Sequence, residues 1–244
     1  MTLYLIGIGL SDEKDITMKG IEAVKKCNEI YLESYTSKLN APIIKLEKLY
    51  GKKIISANRD LIEKKFHNIL EKAKNEDIAL LIIGDVFSAT THIDIMLEAK
   101  KNKTKIVIIN NASVLNTVGI TGLSLYKFGN ITSIPFNNKD IKSPIKVFKK
   151  NYKNDQHTLF LLDLDPKNNK YLTINQAVDY LLKNKINKSM LAVGCTALGS
   201  LKPEIKAGKL KDLKTHKFNK FPQCLIIPAK NLHFMEEEAL NLYK

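Results

Sequence analysis

The first 110 residues repeat one pattern that few architectures satisfy: a short apolar run, then an amphipathic segment, then another apolar run. LYLIGIG (3–9), EIYLE (29–33), IALLIIG (78–84) and KIVIIN (105–110) are of strand length. Most are apolar at consecutive positions, as strands buried on both faces must be. Between them, ITMKGIEAVKKCN (16–28) sets Ile21, Val24 and Cys27 at helical spacing with lysines opposite. RDLIEKKFHNILEKAKN (59–75) puts Leu61, Ile62, Phe66, Ile69 and Leu70 on one helical face, and a further helix is expected from about Thr91 to Lys101. Such alternation predicts an α/β fold, a mostly parallel sheet covered by helices.

The texture changes after Ser113. VLNTVGITGLSLYKFGN (114–130) carries Gly119, Gly122 and Gly129 and reads as a crossover between two units. Beyond it lie expected strands at 157–165, 190–195 and near 223–229, a helix at 173–184, and a last amphipathic helix from about Asn231. The gaps are shorter here, so some antiparallel pairing is expected. The expected architecture is two α/β domains, residues 1–112 and 113–244.

The formal net charge of +14 attracts acidic partners or nucleic acid. Yet Arg59 is the only arginine, and nucleic-acid sites favour its planar fork. Tryptophan is absent and most Phe and Tyr sit in apolar runs, which speaks against a base-stacking surface. Most of the charge therefore reads as a solvated lysine face, with part of it steering an acidic macromolecule. Cys27, Cys195 and Cys224 are far apart and form no C-x-x-C pair, so buried reduced thiols are expected, with neither zinc nor disulfides. The opening stretch lacks a basic n-region, and no apolar run reaches the roughly 18 residues of a membrane span. A cytoplasmic location is expected.

Ligands of open α/β sheets gather beyond the carboxyl ends of the strands. At the first such end, Gly7 and Gly9 begin a dinucleotide fingerprint, but Asp12 replaces its third glycine. A tight turn and a close ligand approach both remain open there. Asp85 after Gly84 suits a helix N-cap or a ligand contact equally. His92 reads more readily as a packed or capping residue than as a catalyst, and Ser113 as either a cap or a ligand contact. Asp163 and Asp165 read as starting a turn before Pro166. There is no G-x-S-x-G elbow, no phosphate loop and no H-E-x-x-H helix. That favours a reaction whose reactive group arrives on a cofactor.

LYLIGIGLSDEKDITMKGIEAVKKCNEIYLESYTS (3–37), GDVFSATTHIDI (84–95), ASVLNTVGITGLSLYKFG (112–129) and GSLKPEIKAGKLKDL (199–213), in this order and spacing, resemble the diphthine synthases, methyltransferases of the tetrapyrrole methylase fold. The resemblance implies S-adenosylmethionine held folded in a cleft between two α/β domains, a homodimer, and translation elongation factor two as protein substrate. It implies methylation of the amine of a 3-amino-3-carboxypropyl group on a histidine of that factor. Carried over by motif, the cofactor contacts fall on Leu10, Asp85, Ser88, Ser113, Val114, Leu162, Leu198 and Gln223. No general base and no metal ligand is assigned. The chain departs from the family pattern at Val86, where proline is usual, at Asn110–Ser113, where His-Ala-Pro-Ser is frequent, in TALGS (196–200), which lacks an arginine, and at Gln223, a place frequently held by histidine. The alternatives are a tetrapyrrole or ribosomal RNA methylase of the same fold, or a non-enzymatic RNA-binding protein.

Overall fold

A computed structural model describes residues 1–88 and 92–244. Ala89, Thr90 and Thr91, and with them the expected start of the third helix, lie outside the described residues. The chain divides into two units, Met1–Leu115 and Asn116–Lys244.

The first unit runs β1 (Thr2–Gly7), α1 (Met18–Lys26), β2 (Glu29–Glu33), α2 (Ile43–Tyr50), β3 (Ile55–Ala57), α3 (Arg59–Glu63), α4 (Phe66–Ala73), β4 (Ile78–Ile82), α5 (Ile93–Lys101) and β5 (Lys105–Ile109). Its five strands pair in parallel in the order β3-β2-β4-β1-β5. Alternate residues of each strand feed two cores, one per face. Leu3, Leu5, Leu80 and Ile82 pack with Phe66, Ile69 and Leu70 of α4 and Ile95 of α5. Ile6, Ala79 and Leu81 pack with Val24 of α1 and Leu46 and Tyr50 of α2. The chain therefore leaves the adjacent strands β1 and β4 toward opposite faces. Such a divergence opens a crevice at the carboxyl ends of the two strands.

The expected single helix over 59–75 is two. At the break the Lys65 N–H reaches both Asp60 O and Leu61 O at 3.2 Å, so the ladder slips and α4 begins afresh at Phe66. Ile62 and Phe66 still enter the same core. The short helix α2 and strand β3 carried no expectation; Ile44 and Ile55 are exposed, which blurs the helical and strand periods there.

A helical turn, α6 (Val114–Thr117), spans the junction. The second unit continues β6 (Thr132–Ile134), α7 (Ser143–Lys153), β7 (Thr158–Leu162), β8 (Leu164–Asp165), β9 (Lys170–Tyr171), α8 (Ile174–Lys183), β10 (Leu191–Thr196), β11 (Glu204–Lys209), α9 (Leu210–Thr215), β12 (Gln223–Ile227) and α10 (Phe234–Asn241). The main sheet has the order β11-β10-β12-β7-β6, with β6–β7 parallel and the remaining pairs antiparallel. Phe160, Leu225 and Ile227 pack beneath Ile145 and Phe148 of α7 and Val178 and Leu181 of α8. The expected strand 157–165 ends early. Asp163 Oδ2 accepts from Phe136 N (3.0 Å) and Oδ1 from Leu164 N (3.0 Å), which turns the chain into the β8–β9 ribbon.

Candidate functional site

The carboxyl ends of β4, β1 and β5 lie side by side, and three loops meet there. Gly9 and Gly84 form an antiparallel bridge between the loops after β1 and β4, with Gly84 N–H donating to Gly9 O at 2.7 Å and the reverse bond at 3.2 Å. Both residues take left-handed backbone, φ +77° and +86°, which glycine adopts without steric penalty. A Cβ at Gly9 would sit 2.3 Å from the Asp15 Cβ. That resolves the G-x-G motif. It is a bridge and not a dinucleotide fingerprint, since α1 starts only at Met18, capped by Thr17.

Asp15 organises the loop after β1. Its Oδ2 accepts from the consecutive N–H groups of Ser11 (2.7 Å), Leu10 (3.2 Å) and Asp12 (3.4 Å). The N–H of Leu10 is thereby committed, while the Leu10 side chain lies beside the open face of Gly84.

Asp85 accepts four hydrogen bonds. Oδ1 takes Phe87 N (3.1 Å) and Ser88 Oγ (3.0 Å); Oδ2 takes Asn110 Nδ2 (2.9 Å) and Asn111 N (3.1 Å). These fill the acceptor capacity of a carboxylate. Burial pushes its pKa up, but the bonds from Asn110, Asn111, Phe87 and Ser88 outweigh this and hold it below the usual carboxylate range. Asp85 is thus a clamp between the ends of β4 and β5. It does not cap α5, whose N-cap is His92. Asn111 completes the tie: its Nδ2 donates to Gly7 O (3.0 Å) and Asp15 O (2.9 Å). Sequence reasoning missed Asp15 and Asn111 as organisers; the signal for Asp15 is a carboxylate closing a short polar loop after a glycine turn. Ser113 Oγ accepts from Leu115 N (3.1 Å), and so caps the turn that begins with half-buried Val114.

His92 is 1% exposed and packed. Its Nδ1 lies 3.3 Å from Val86 O, and its Nε2 has no hydrogen-bond partner and faces Glu33 Oε2 at 4.0 Å. Burial lowers its pKa.

In the second unit, Leu162 closes β7 and Gln223 opens β12; the neighbouring residues Leu161 and Cys224 are paired across the two strands. Gln223 also pairs with Thr196 at the end of β10, two residues before Leu198. The three expected residues of this unit therefore share one end of its sheet. The Gln223 side chain is spent on the fold: Oε1 accepts from Ile174 N (2.8 Å) and Nε2 donates to Lys220 O (2.9 Å). The Thr196 hydroxyl, at the same end, is buried without a partner, a state that costs free energy until something meets it.

Among the described residues no group of three or more His, Cys, Asp or Glu side chains could hold a metal ion, and no helix is long and apolar enough to cross a membrane.

The fold and its glycine-bridged strand ends define a methylase of the tetrapyrrole class: residues 2–214 match the Tetrapyrrole (Corrin/Porphyrin) Methylases. Among curated proteins the chain is 42% identical to a diphthine synthase of Methanococcus aeolicus, over 98% of this chain and 96% of that protein. It is 39% identical to the diphthine methyl ester synthase of Homo sapiens, over 99% and 94%. A crystal structure of diphthine synthase superposes with TM-score 0.94 at 38% identity, covering 100% of this chain and 96% of that one. The chain belongs to the diphthine synthase family and is an S-adenosylmethionine-dependent methyltransferase. The strand ends fit such a cofactor. Among the described residues, a Cβ placed on Gly84 would find only Leu10 Cδ2 at 3.5 Å and Ala112 O at 3.8 Å, so the backbone there accepts a close approach beside an apolar wall.

Proposed function

We propose that this protein methylates the amino group of the 3-amino-3-carboxypropyl side chain on a histidine of translation elongation factor two, a step of diphthamide biosynthesis. Near-complete coverage by relatives that bear the diphthine synthase name carries this reading. S-adenosylmethionine, when bound, supplies a methyl group already activated for transfer, so the protein's work is orientation and exclusion of water.

In the first unit we assign cofactor contacts to Leu10, Asp85, Ser88, Ser113 and Val114. Leu10 offers its side chain, because its N–H is held by Asp15. Asp85 keeps its charge through its four bonds, and the bond from exposed Asn110 is the one a ligand donor displaces most easily. In the second unit the contacts are Leu162, Leu198 and Gln223. Gln223 acts through its backbone, since both ends of its amide are engaged.

The protein is a cytoplasmic homodimer in this reading. Ile120, Leu125, Tyr126, Met235 and Leu242, all in the second unit, are exposed, and burying such residues drives association.

The test is mass spectrometry of the carboxypropylated elongation factor after incubation with the protein and S-adenosylmethionine. Methyl increments on the modified histidine are expected. An unmodified factor beside a methylated tetrapyrrole or ribosomal RNA would overturn the assignment.

A further inference from the structure

The positive charge is unevenly divided. Residues 116–244 hold 21 Lys and 10 Asp or Glu, a net +11, whereas residues 1–115 hold 18 Lys or Arg and 15 Asp or Glu, a net +3. Within the second unit the charge is ordered. Lys142, Lys146, Lys149, Lys150 and Lys153 follow one another at steps of one, three or four along α7 and its N-cap, and all five are exposed. The opposite face, Ile145, Phe148 and Asn151, is buried. The five lysines thus form one stripe, about 16 Å long at the helical rise.

No carboxylate among the described residues lies within ion-pair distance of any of the five; Lys142 reaches only the Asn184 amide oxygen, at 2.7 Å. Lysines three and four apart repel one another and destabilise the helix that carries them. The contrast with the first unit is direct. There Lys64 and Lys65 meet Asp60, and Lys72 meets Glu29. The α7 stripe is left without counter-charge.

Beside the carboxyl end of the stripe lies a hollow of about 380 Å³, lined by Tyr152, Asn187, Ser189 and Lys230 and by apolar residues that include Met190 and Leu232, with Glu237 as its acidic wall. Lys230 Nζ sits over the Tyr152 ring, 5.2 Å from its centroid, and exposed Lys188 stands between two of the lining residues.

We propose that the α7 stripe and this hollow are a docking surface for an acidic segment of the protein substrate; this rests on the methyl acceptor being a protein, as proposed above. The stripe spans about five residues of extended chain, with the hollow receiving a side chain at one end. Carboxylates match it better than nucleic acid does. Every charge is a lysine point charge, and the guanidinium fork that reads phosphates and bases is absent from the face. Of the two aromatic residues of α7, Phe148 is buried in the core, and the half-buried Tyr152 ring is packed against Phe148 and has Lys230 over it, which leaves little surface for base stacking.

The test compares the wild-type protein with K146E/K149E/K153E and with the neutral K146Q/K149Q/K153Q, each checked for folding by circular dichroism. One probe is a fluorescein-labelled peptide of eight glutamates, read by anisotropy at low and physiological salt. The other is the carboxypropylated elongation factor, read as KM and kcat. Charge reversal is expected to weaken peptide binding and raise KM by about tenfold or more, with the neutral variant between, while kcat and S-adenosylmethionine affinity hold within about twofold. Peptide binding that the reversal leaves unchanged, or that the wild type lacks, would make the stripe a solvated face and overturn the proposal. Tighter binding of a single-stranded RNA oligonucleotide of equal charge would overturn it too. If the wild type fails to methylate the elongation factor yet loses peptide binding on reversal, the substrate assignment fails and the acidic docking surface stands.

Discussion

Asp85 Oδ2 accepts the backbone N–H of Asn111 at 3.1 Å, and through that bond the loop after β4 is fixed to the end of β5. The same carboxylate holds Phe87, Ser88 and Asn110. Asp85→Ala strips four donors of their acceptor at once. It is expected to weaken S-adenosylmethionine binding by about tenfold or more while lowering stability by about 1–3 kcal/mol, the cost of leaving a partly buried group unpaired. Isothermal calorimetry with the cofactor and urea unfolding read the two effects separately. Unchanged affinity would reduce Asp85 to a purely structural clamp.

Gly9 is a second point where the backbone geometry is tightly set, through its bridge to Gly84. At φ +77° with Asp15 2.3 Å from any added Cβ, Gly9→Ala must push Asp15 away from the N–H groups of Leu10, Ser11 and Asp12. A loss of about 1–3 kcal/mol in stability is expected. Asp15→Asn, which keeps one acceptor oxygen and removes the charge, should cost less in stability. If Gly9→Ala melts at the wild-type temperature, the bridge with Gly84 is not rigid.

The orphaned Thr196 hydroxyl gives a prediction of opposite sign. Thr196→Val replaces a buried, unpartnered hydroxyl by a methyl of similar shape. The variant without cofactor is expected to be as stable as wild type or more so by about 1 kcal/mol. A drop in stability would show that the hydroxyl has a partner in solution. The comparison is thermal unfolding with and without S-adenosylmethionine, in which a smaller cofactor-induced rise in Tm for the variant would add Thr196 to the binding residues.

How much of this was legible in the sequence depends on how each residue earns its place. β1 and β4 announced themselves because a strand buried on both faces must be apolar at nearly every position; β5, a half-buried edge strand, did so through its apolar run Ile106–Ile109. α1 did so through the apolar stripe of Ile21, Val24 and Cys27, and α8 matches the helix expected over 173–184; the caps at Thr17 and Thr173 emerge only in the structure. β11 stayed hidden: it is an edge strand in which Glu204, Lys206 and Lys209 interrupt the apolar pattern, so it carries no apolar signature. Asp85 and Ser113 were legible as polar residues beyond the ends of expected strands, and Ser88 came from the resemblance. The partners of Asp85 were not legible, because Asn110 and Asn111 are 25 and 26 residues away and only the parallel register brings them close. For Asp15 the signal was coarse: a carboxylate closing the polar loop after the glycine turn was legible, but not which of Asp12, Glu13 and Asp15 turns inward.

The last prediction concerns acid. His157 and Glu236 are buried together in the second unit, His157 Nε2 lying 3.0 Å from Glu236 Oε1, while His157 Nδ1 accepts from Ala229 N at 2.9 Å. With Nδ1 an acceptor, the ring is neutral and Nε2–H is the donor. Burial holds the His157 pKa below its usual value, against the pull of Glu236. For Glu236, burial raises the pKa, but the bonds from Ser124, His233 and His157 prevail and bring it from 4.5 to about 2. Both groups bind fewer protons folded than unfolded, so both make stability fall as the pH falls. His157 contributes below the ordinary histidine value of 6.5, because its protonation sets a second N–H against that of Ala229. Glu236 contributes between 4.5 and about 2, on the order of 3 kcal/mol when fully lost. Urea unfolding tracked from pH 7 to pH 3 (~4 units) should show a shallow decline first and a steeper one below the carboxylate range. In Glu236→Gln the overall stability is lower and the steep limb is flattened. A variant that loses stability yet keeps the wild-type slope below the carboxylate range would assign the acid sensitivity to other groups.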